Sequence, residues 1–337
     1  MKKNKRFFWS KCIYLAAPFL ILSVIYFVKD PFMVLRHYTR FDNSCFVLNE
    51  HNVGWETYLN NRDSIHFNSF ILGNSCTMAF KCSDWEKYLD KGDRAIRLYG
   101  FAERLPSVYK ELKALDVNHA VIKNVLLVAD NDLMRRKLLN ESATSVLPPA
   151  ESGMSKLEFQ MCSIQSFFTP NFLISYCDYS LFHHYRRYMK GIINPYGVIR
   201  NPITCDAINP REKEIALKHE QYWIDHKSDF FKRDNKSRET ERNIYDVEIR
   251  ILLNIKKLCL KHHTNIKVVI SPDYDQETFN HTDMQILRNI FGSENVFDFT
   301  GVNEYTNDVH NFYESTHYRP ALGKKLLQKI YKYPAKK

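Results

Sequence analysis

The run Ala120–Ala129, AVIKNVLLVA, is the strongest constraint on what this chain can fold into. It is short, nearly all apolar and rich in β-branched residues, and it ends at the polar Asp130-Asn131-Asp132. A run of that kind reads as a strand buried on both faces, which requires helices above and below it. Four further runs have the same character: Asn68–Gly73, Ala95–Tyr99, Ile266–Ser271 and Asn295–Phe299. Between them, helical spacing covers Leu105–Leu115 and about Arg211–Lys232, Glu241–His262 and Gln276–Phe291. Strands alternating with helices predict an α/β fold, a three-layer sandwich around a five-stranded, mostly parallel sheet. Polar residues follow the first, second, third and fifth runs, at the strand ends where open α/β sheets hold ligands.

The N-terminus carries a different signal. Lys2, Lys3, Lys5, Arg6 and Lys11 precede or enter the uncharged run Cys12–Val28, CIYLAAPFLILSVIYFV. That run is near the lower length for a membrane span, and a basic flank predicts a cytoplasmic start with the body exported. No small-x-small cleavage site follows it, so the expectation is an uncleaved anchor rather than a signal peptide. The chain then divides into a tail and anchor over 1–30, a stem over 31–66 and an α/β domain over 67–335. An insertion over about 140–210 follows the third strand. It is rich in aromatic and basic residues, as in YCDYSLFHHYRRYMKGIINPYG. We read it as a cap beside the strand ends, with Arg186, Arg187 and Tyr188 as candidate substrate-binding residues. The net charge of +10 points to an acidic partner. An exported body favours glycans or lipid headgroups over nucleic acid. The eight cysteines form no C-x-x-C pair and no zinc-like spacing, and no disulfide pairing can be assigned.

Chemistry concentrates near the C-terminus. In NFYESTHYRPALGKKLL, Glu314 stands three residues before His317. A carboxylate at that spacing can fold back onto Nδ1–H, fix the tautomer and leave Nε2 free to take a proton. The matching nucleophile is Ser75, directly after the first strand in Gly73-Asn74-Ser75. A glycine there permits a sharp strand-to-helix turn with backbone N–H groups available to an oxyanion. Gly100 ends the second strand and can offer an unhindered N–H. Asn131 follows the third and can offer its side-chain NH₂.

The order of these blocks resembles that of the SGNH (GDSL-like) hydrolases. Those enzymes have a Ser in a G-D-S or G-N-S block, a Gly, an Asn in a G-x-N-D block and a C-terminal D-x-x-H. The likeness runs from about Phe70 to Ile330 and leaves the insertion unmatched. Its anchor, G-N-S block and late H-Y-R-P are most similar to the membrane-anchored branch, which includes the D-alanyl transfer protein of teichoic acid modification and the alginate and peptidoglycan acetylation proteins. Ala129 stands where the family has the glycine of the Asn block, and Glu314 where it has Asp. The resemblance implies a flavodoxin-like sheet and a serine esterase or O-acyltransferase acting on an envelope polysaccharide or acylated glycan. It implies Ser75, His317 and Glu314 as triad, and Ser75, Gly100 and Asn131 as oxyanion donors. No metal or dissociable cofactor is expected, and transfer would require a multi-spanning membrane protein to deliver the acyl group.

Two other readings compete. Asp130-Asn131-Asp132 fits a D-x-D glycosyltransferase, in which paired carboxylates hold a cation against a nucleotide sugar. The Ala129 and Glu314 departures fit a lapsed site serving as a glycan-binding or assembly subunit.

Overall fold

The computed structural model describes residues 2–42, 44–135, 142–195, 198–233 and 238–332. The insertion's first two residues, Asn140 and Glu141, lie outside the described residues. In chain order the main elements begin with α1 (Lys2–Lys29), α2 (Glu50–Ile65), β1 (Ser69–Gly73), β2 (Ala95–Arg97), α3 (Leu105–Val117) and β3 (Asn124–Ala129). Then come α4 (Lys156–Phe167), α5 (Pro170–Phe182), α6 (Arg211–Lys218) and α7 (Glu220–Asp225). Last are α8 (Asp246–Lys261), β4 (Asn265–Ile270), α9 (His281–Phe291), β5 (Val296–Asp298) and α10 (Pro320–Tyr331).

All five expected strands form, and they pair parallel in the order β2-β1-β3-β4-β5. Because side chains alternate across a strand, each strand feeds two cores. Phe70, Leu72, Ile96, Val125, Leu127 and Val268 point to one face, under α2, α3, α8 and α9. Ile71, Ala95, Leu126, Val128 and Val269 point to the other, under α10 and the short helix Cys82–Trp85. Each fully buried Leu, Ile or Val contributes roughly 1.5–3 kcal/mol. The chain leaves β1 toward β2 and later returns to β3 on β1's other side. That reversal opens a crevice at the carboxyl ends of β1 and β3.

Three regions differ from expectation. The irregular stem is half helix: α2 is capped by the Asn49 side chain, which accepts the Asn52 N–H at 3.3 Å, and it buries Val53, Trp55 and Tyr58 against the sheet. The pattern over 211–232 is two short helices broken at His219, whose φ is 50°. The insertion is not one cap. Phe167, Phe172 and Tyr176 of α4 and α5 pack on Tyr26 and Phe32, at the end of α1 and the start of the stem. Residues 199–208 instead cover the free edge of β2, where the Arg97 N–H donates to Thr204 O at 3.0 Å.

Among the described residues no helix is long and apolar enough to cross a membrane. The side chains of Cys12 and of residues 1–10, including Lys2, Lys3, Lys5 and Arg6, lie outside that description. Within α1, Leu15, Phe19, Leu20, Ile21, Val24 and Val28 are exposed.

Candidate active site

The turn after β1 is held by its own side chains. Gly73 has φ 137°, and a Cβ there would lie 2.1 Å from Val128 O, so glycine alone fits the exit from the strand. Asn74 caps the single 3₁₀ turn Ser75–Ala79, its Oδ1 accepting the Cys76 N–H at 3.0 Å. Asn74 O accepts the Thr77 N–H at 3.0 Å. Neither contact uses the Ser75 N–H. Asn74 Nδ2 donates to Asp130 Oδ2 at 2.6 Å, tying this turn to the end of β3 across the crevice. Asp130 Oδ1 accepts the Leu133 N–H at 2.7 Å. Burial raises the Asp130 carboxyl pKa above its ordinary value, against the pull of the Asn74 and Leu133 hydrogen bonds.

The second half of the site comes from the loop before α10. His317 Nε2 lies 2.8 Å from Ser75 Oγ, and Nδ1 lies 2.5 Å from Glu314 Oε1. A carboxylate can only accept, so Nδ1 carries the proton and Nε2 accepts from the serine hydroxyl. Glu314 Oε2 also accepts the Thr316 N–H at 2.8 Å. Burial pushes the Glu314 carboxyl up, but the hydrogen bonds from His317 and Thr316 outweigh it and hold its pKa below the ordinary value. The extra methylene of Glu relative to Asp is absorbed by this loop. His317 and Glu314 remain partly open to solvent, with side chains 28% and 21% exposed.

A clamp that sequence reasoning missed fixes the loop. Phe312 and Tyr318 form an antiparallel bridge, and the Tyr313 N–H donates to His317 O at 2.9 Å. Helices α6 and α7 then grip it from outside. Tyr222 Oη and Arg211 Nη1 donate to Tyr313 O at 2.8 and 3.1 Å, and Trp223 Nε1 donates to Phe312 O at 3.1 Å. Arg319 makes a two-pronged contact with Glu212 at 2.9 and 3.0 Å, and Tyr313 Oη donates to the same carboxylate at 2.7 Å. Burial raises the Glu212 pKa, yet its partners Arg319 and Tyr313 bring it below the ordinary value. The sequence signal was present in the amphipathic spacing of 211–232, which faces this loop rather than the sheet.

The remaining expected residues divide. Asn131 Oδ1 accepts from Asn243 Nδ2 at 2.7 Å, which orients the side chain and leaves its NH₂ end for another acceptor. Gly100 is a correction: its N–H donates to Glu103 Oε2 at 2.8 Å, so this amide is already engaged. Arg186 pairs with Asp178 at 2.7 Å, and Tyr188 bonds the same carboxylate. Arg187 opens the adjacent 3₁₀ turn and is exposed. Among the described residues no hydrogen bond or ion pair joins this trio to the triad loop. No known protein-family model matches the chain, and no curated protein matches it.

Proposed function

We propose that the protein is an exported, membrane-anchored serine esterase or O-acyltransferase of the SGNH kind, acting on acyl groups of a cell-envelope glycan. The observation that carries this reading is the relay from Ser75 through His317 to Glu314, with contacts of 2.8 and 2.5 Å. Ser75 Oγ attacks the acyl carbonyl as His317 Nε2 takes its proton. Glu314 holds the ring and stabilises the imidazolium. The Ser75 N–H and the Asn131 NH₂ supply the oxyanion donors, in place of the engaged Gly100 amide. The imidazolium protonates the leaving sugar oxygen, which leaves an acyl ester on Ser75. His317 then takes a proton from water or a sugar hydroxyl, whose oxygen attacks that ester and regenerates the serine. The identity of that second nucleophile separates an esterase from a transferase, and a transferase needs a multi-spanning partner to bring the acyl donor.

The anchor in this proposal rests on the Cys12–Val28 run and on the exposed apolar side chains of α1. A reporter fused after Lys337 is expected to be active only on the exported side, and cytoplasmic activity would remove the envelope assignment. For the chemistry, the full-length chain should hydrolyse p-nitrophenyl acetate and Ser75→Ala should not. Equal rates from both would remove the enzyme.

The engaged Gly100 amide favours one second reading, a lapsed member of the same class that binds glycan without turning it over. Binding of an acylated glycan with no turnover of any ester would select it.

A further inference from the structure

Beneath the loop after β2 lies a cluster that takes no part in the acyl chemistry. His51 from the first turn of α2, Glu111 from α3 and Glu151 from the short helix Pro149–Ser152 converge there, with exposures of 4%, 1% and 7%. One ligand atom from each lies within 4.8 Å of the other two. Glu103, 3% exposed, borders the same space. Buried polar atoms are almost always paired, yet His51 Nδ1, Glu103 Oε1, Glu111 Oε2 and both Glu151 oxygens have no hydrogen-bond partner. Among the described residues no Lys or Arg forms an ion pair with any of the three carboxylates, and His51, whose Nδ1 lies 3.4 Å from Glu151 Oε2, could supply one positive charge at most. A cavity of about 60 Å³, lined by His51, Glu103, Ser107, Lys110 and Ser152, reaches the cluster from outside.

Burying carboxylates without a counter-charge is costly unless they are neutralised. Protons or a cation can do this, and the two differ in what they leave behind. Protons would give each neutral carboxyl an O–H in need of an acceptor, and the one imidazole nitrogen at hand, His51 Nδ1 at 3.4 Å from Glu151 Oε2, can serve only one of the three. A dication would engage the orphaned oxygens and the imidazole nitrogen together. We propose that His51, Glu111 and Glu151 bind one divalent transition-metal ion of the zinc or manganese kind, with Glu103 and cavity water completing the set. One imidazole among carboxylates, with no thiolate, is the donor chemistry of that class. Bonds of about 2.0–2.2 Å require the three side chains to close inward on the ion. The ion fastens α2, α3 and the 149–152 segment to one another. Through Glu103 and its bond to the Gly100 N–H it also steadies the loop after β2. Gly100 itself is held to glycine by this cluster, since a Cβ there would lie 2.1 Å from His51 Nε2.

The test uses the full-length chain, stripped with chelator and then titrated with Zn²⁺. Equilibrium dialysis with elemental analysis should find one tightly held equivalent. A hundredfold excess over Kd should raise Tm by roughly 5 °C. The double variant Glu111→Gln/Glu151→Gln keeps the side-chain volumes and should lose both the equivalent and the shift. Should that variant not fold, X-ray absorption on the wild-type zinc complex decides: nitrogen and oxygen neighbours including one imidazole support the site, and a sulfur neighbour overturns it by placing zinc on cysteine. Absence of a zinc equivalent in the wild type overturns it, as does an equivalent retained by the folded double variant.

Discussion

Gly323 lies directly against the carbonyl of Ala79: a Cβ at position 323 would sit 2.0 Å from that oxygen. The contact joins α10, which carries the histidine loop at its start, to the 3₁₀ turn that carries Ser75. It therefore sets how closely the two halves of the triad approach. Gly323→Ala should force α10 off the turn and cost about 1–3 kcal/mol, as other overpacked sites do. Denaturant melts measure that loss. Ester turnover should fall further than the folded fraction does, because Ser75 and His317 move apart. A stable, fully active variant would mean that the contact positions nothing.

The triad variants should separate chemistry from stability. Ser75→Ala and His317→Ala are each expected to lower kcat by at least about 10³-fold with little change in Tm. Both side chains sit partly open at a strand-end crevice and contribute little to either core. Glu314→Gln should lose less, since the amide can touch the ring but cannot stabilise its charge. Ser75→Ala combined with His317→Ala should be no worse than either alone. Additive losses would show that the two residues do not act as one unit.

Asn131 tests the oxyanion assignment. Removing one preorganised donor typically costs about 10²–10³ in kcat, so Asn131→Ala should show a loss of that order with KM nearly unchanged. Asn243→Ala, which frees the orientation of Asn131, should show a smaller one. Gly100 has its amide on Glu103, so Glu103→Gln should leave oxyanion stabilisation intact. A larger loss from Glu103→Gln than from Asn131→Ala would reverse the assignment.

Acid should loosen the clamp on the histidine loop. Glu212 has a folded pKa below its ordinary value of 4.5, so its ionised form is the bonded one. Its contribution to stability is complete above that ordinary value and disappears as pH falls through the lower value it has in the fold. Wild type should therefore lose stability more steeply below pH 4.5 than Glu212→Gln. Circular dichroism melts across that window measure the difference. Parallel curves would show that the Glu212–Arg319 contact is energetically idle.

How much of this was legible in the sequence depends on where each residue's partner lies. The five strands were readable because burial on both faces leaves continuous apolar runs such as Val125–Ala129. Glu314 and His317 were readable as a pair because the loop keeps their partnership local, and Ser75 because Gly73 marks the turn. Helix α2 was hidden because its buried side includes Glu50, His51, Asn52 and Thr57, which reads as a polar surface. The same polarity hid the His51–Glu111–Glu151 cluster, whose members come from three separate segments. The amphipathic pattern of 211–232 was visible, but its target was not. Spacing shows that a face is buried, and here it was the Tyr313 carbonyl rather than the sheet that received it.

The central claim is that Ser75 is an activated nucleophile, and covalent labelling reads this without knowledge of the natural acyl group. A fluorophosphonate probe is added to the folded full-length protein, and the labelled peptide is mapped by mass spectrometry. The account predicts one adduct on Ser75, much slower labelling in His317→Ala and none in Ser75→Ala. An unlabelled wild-type protein, or an adduct that persists in Ser75→Ala, would contradict it.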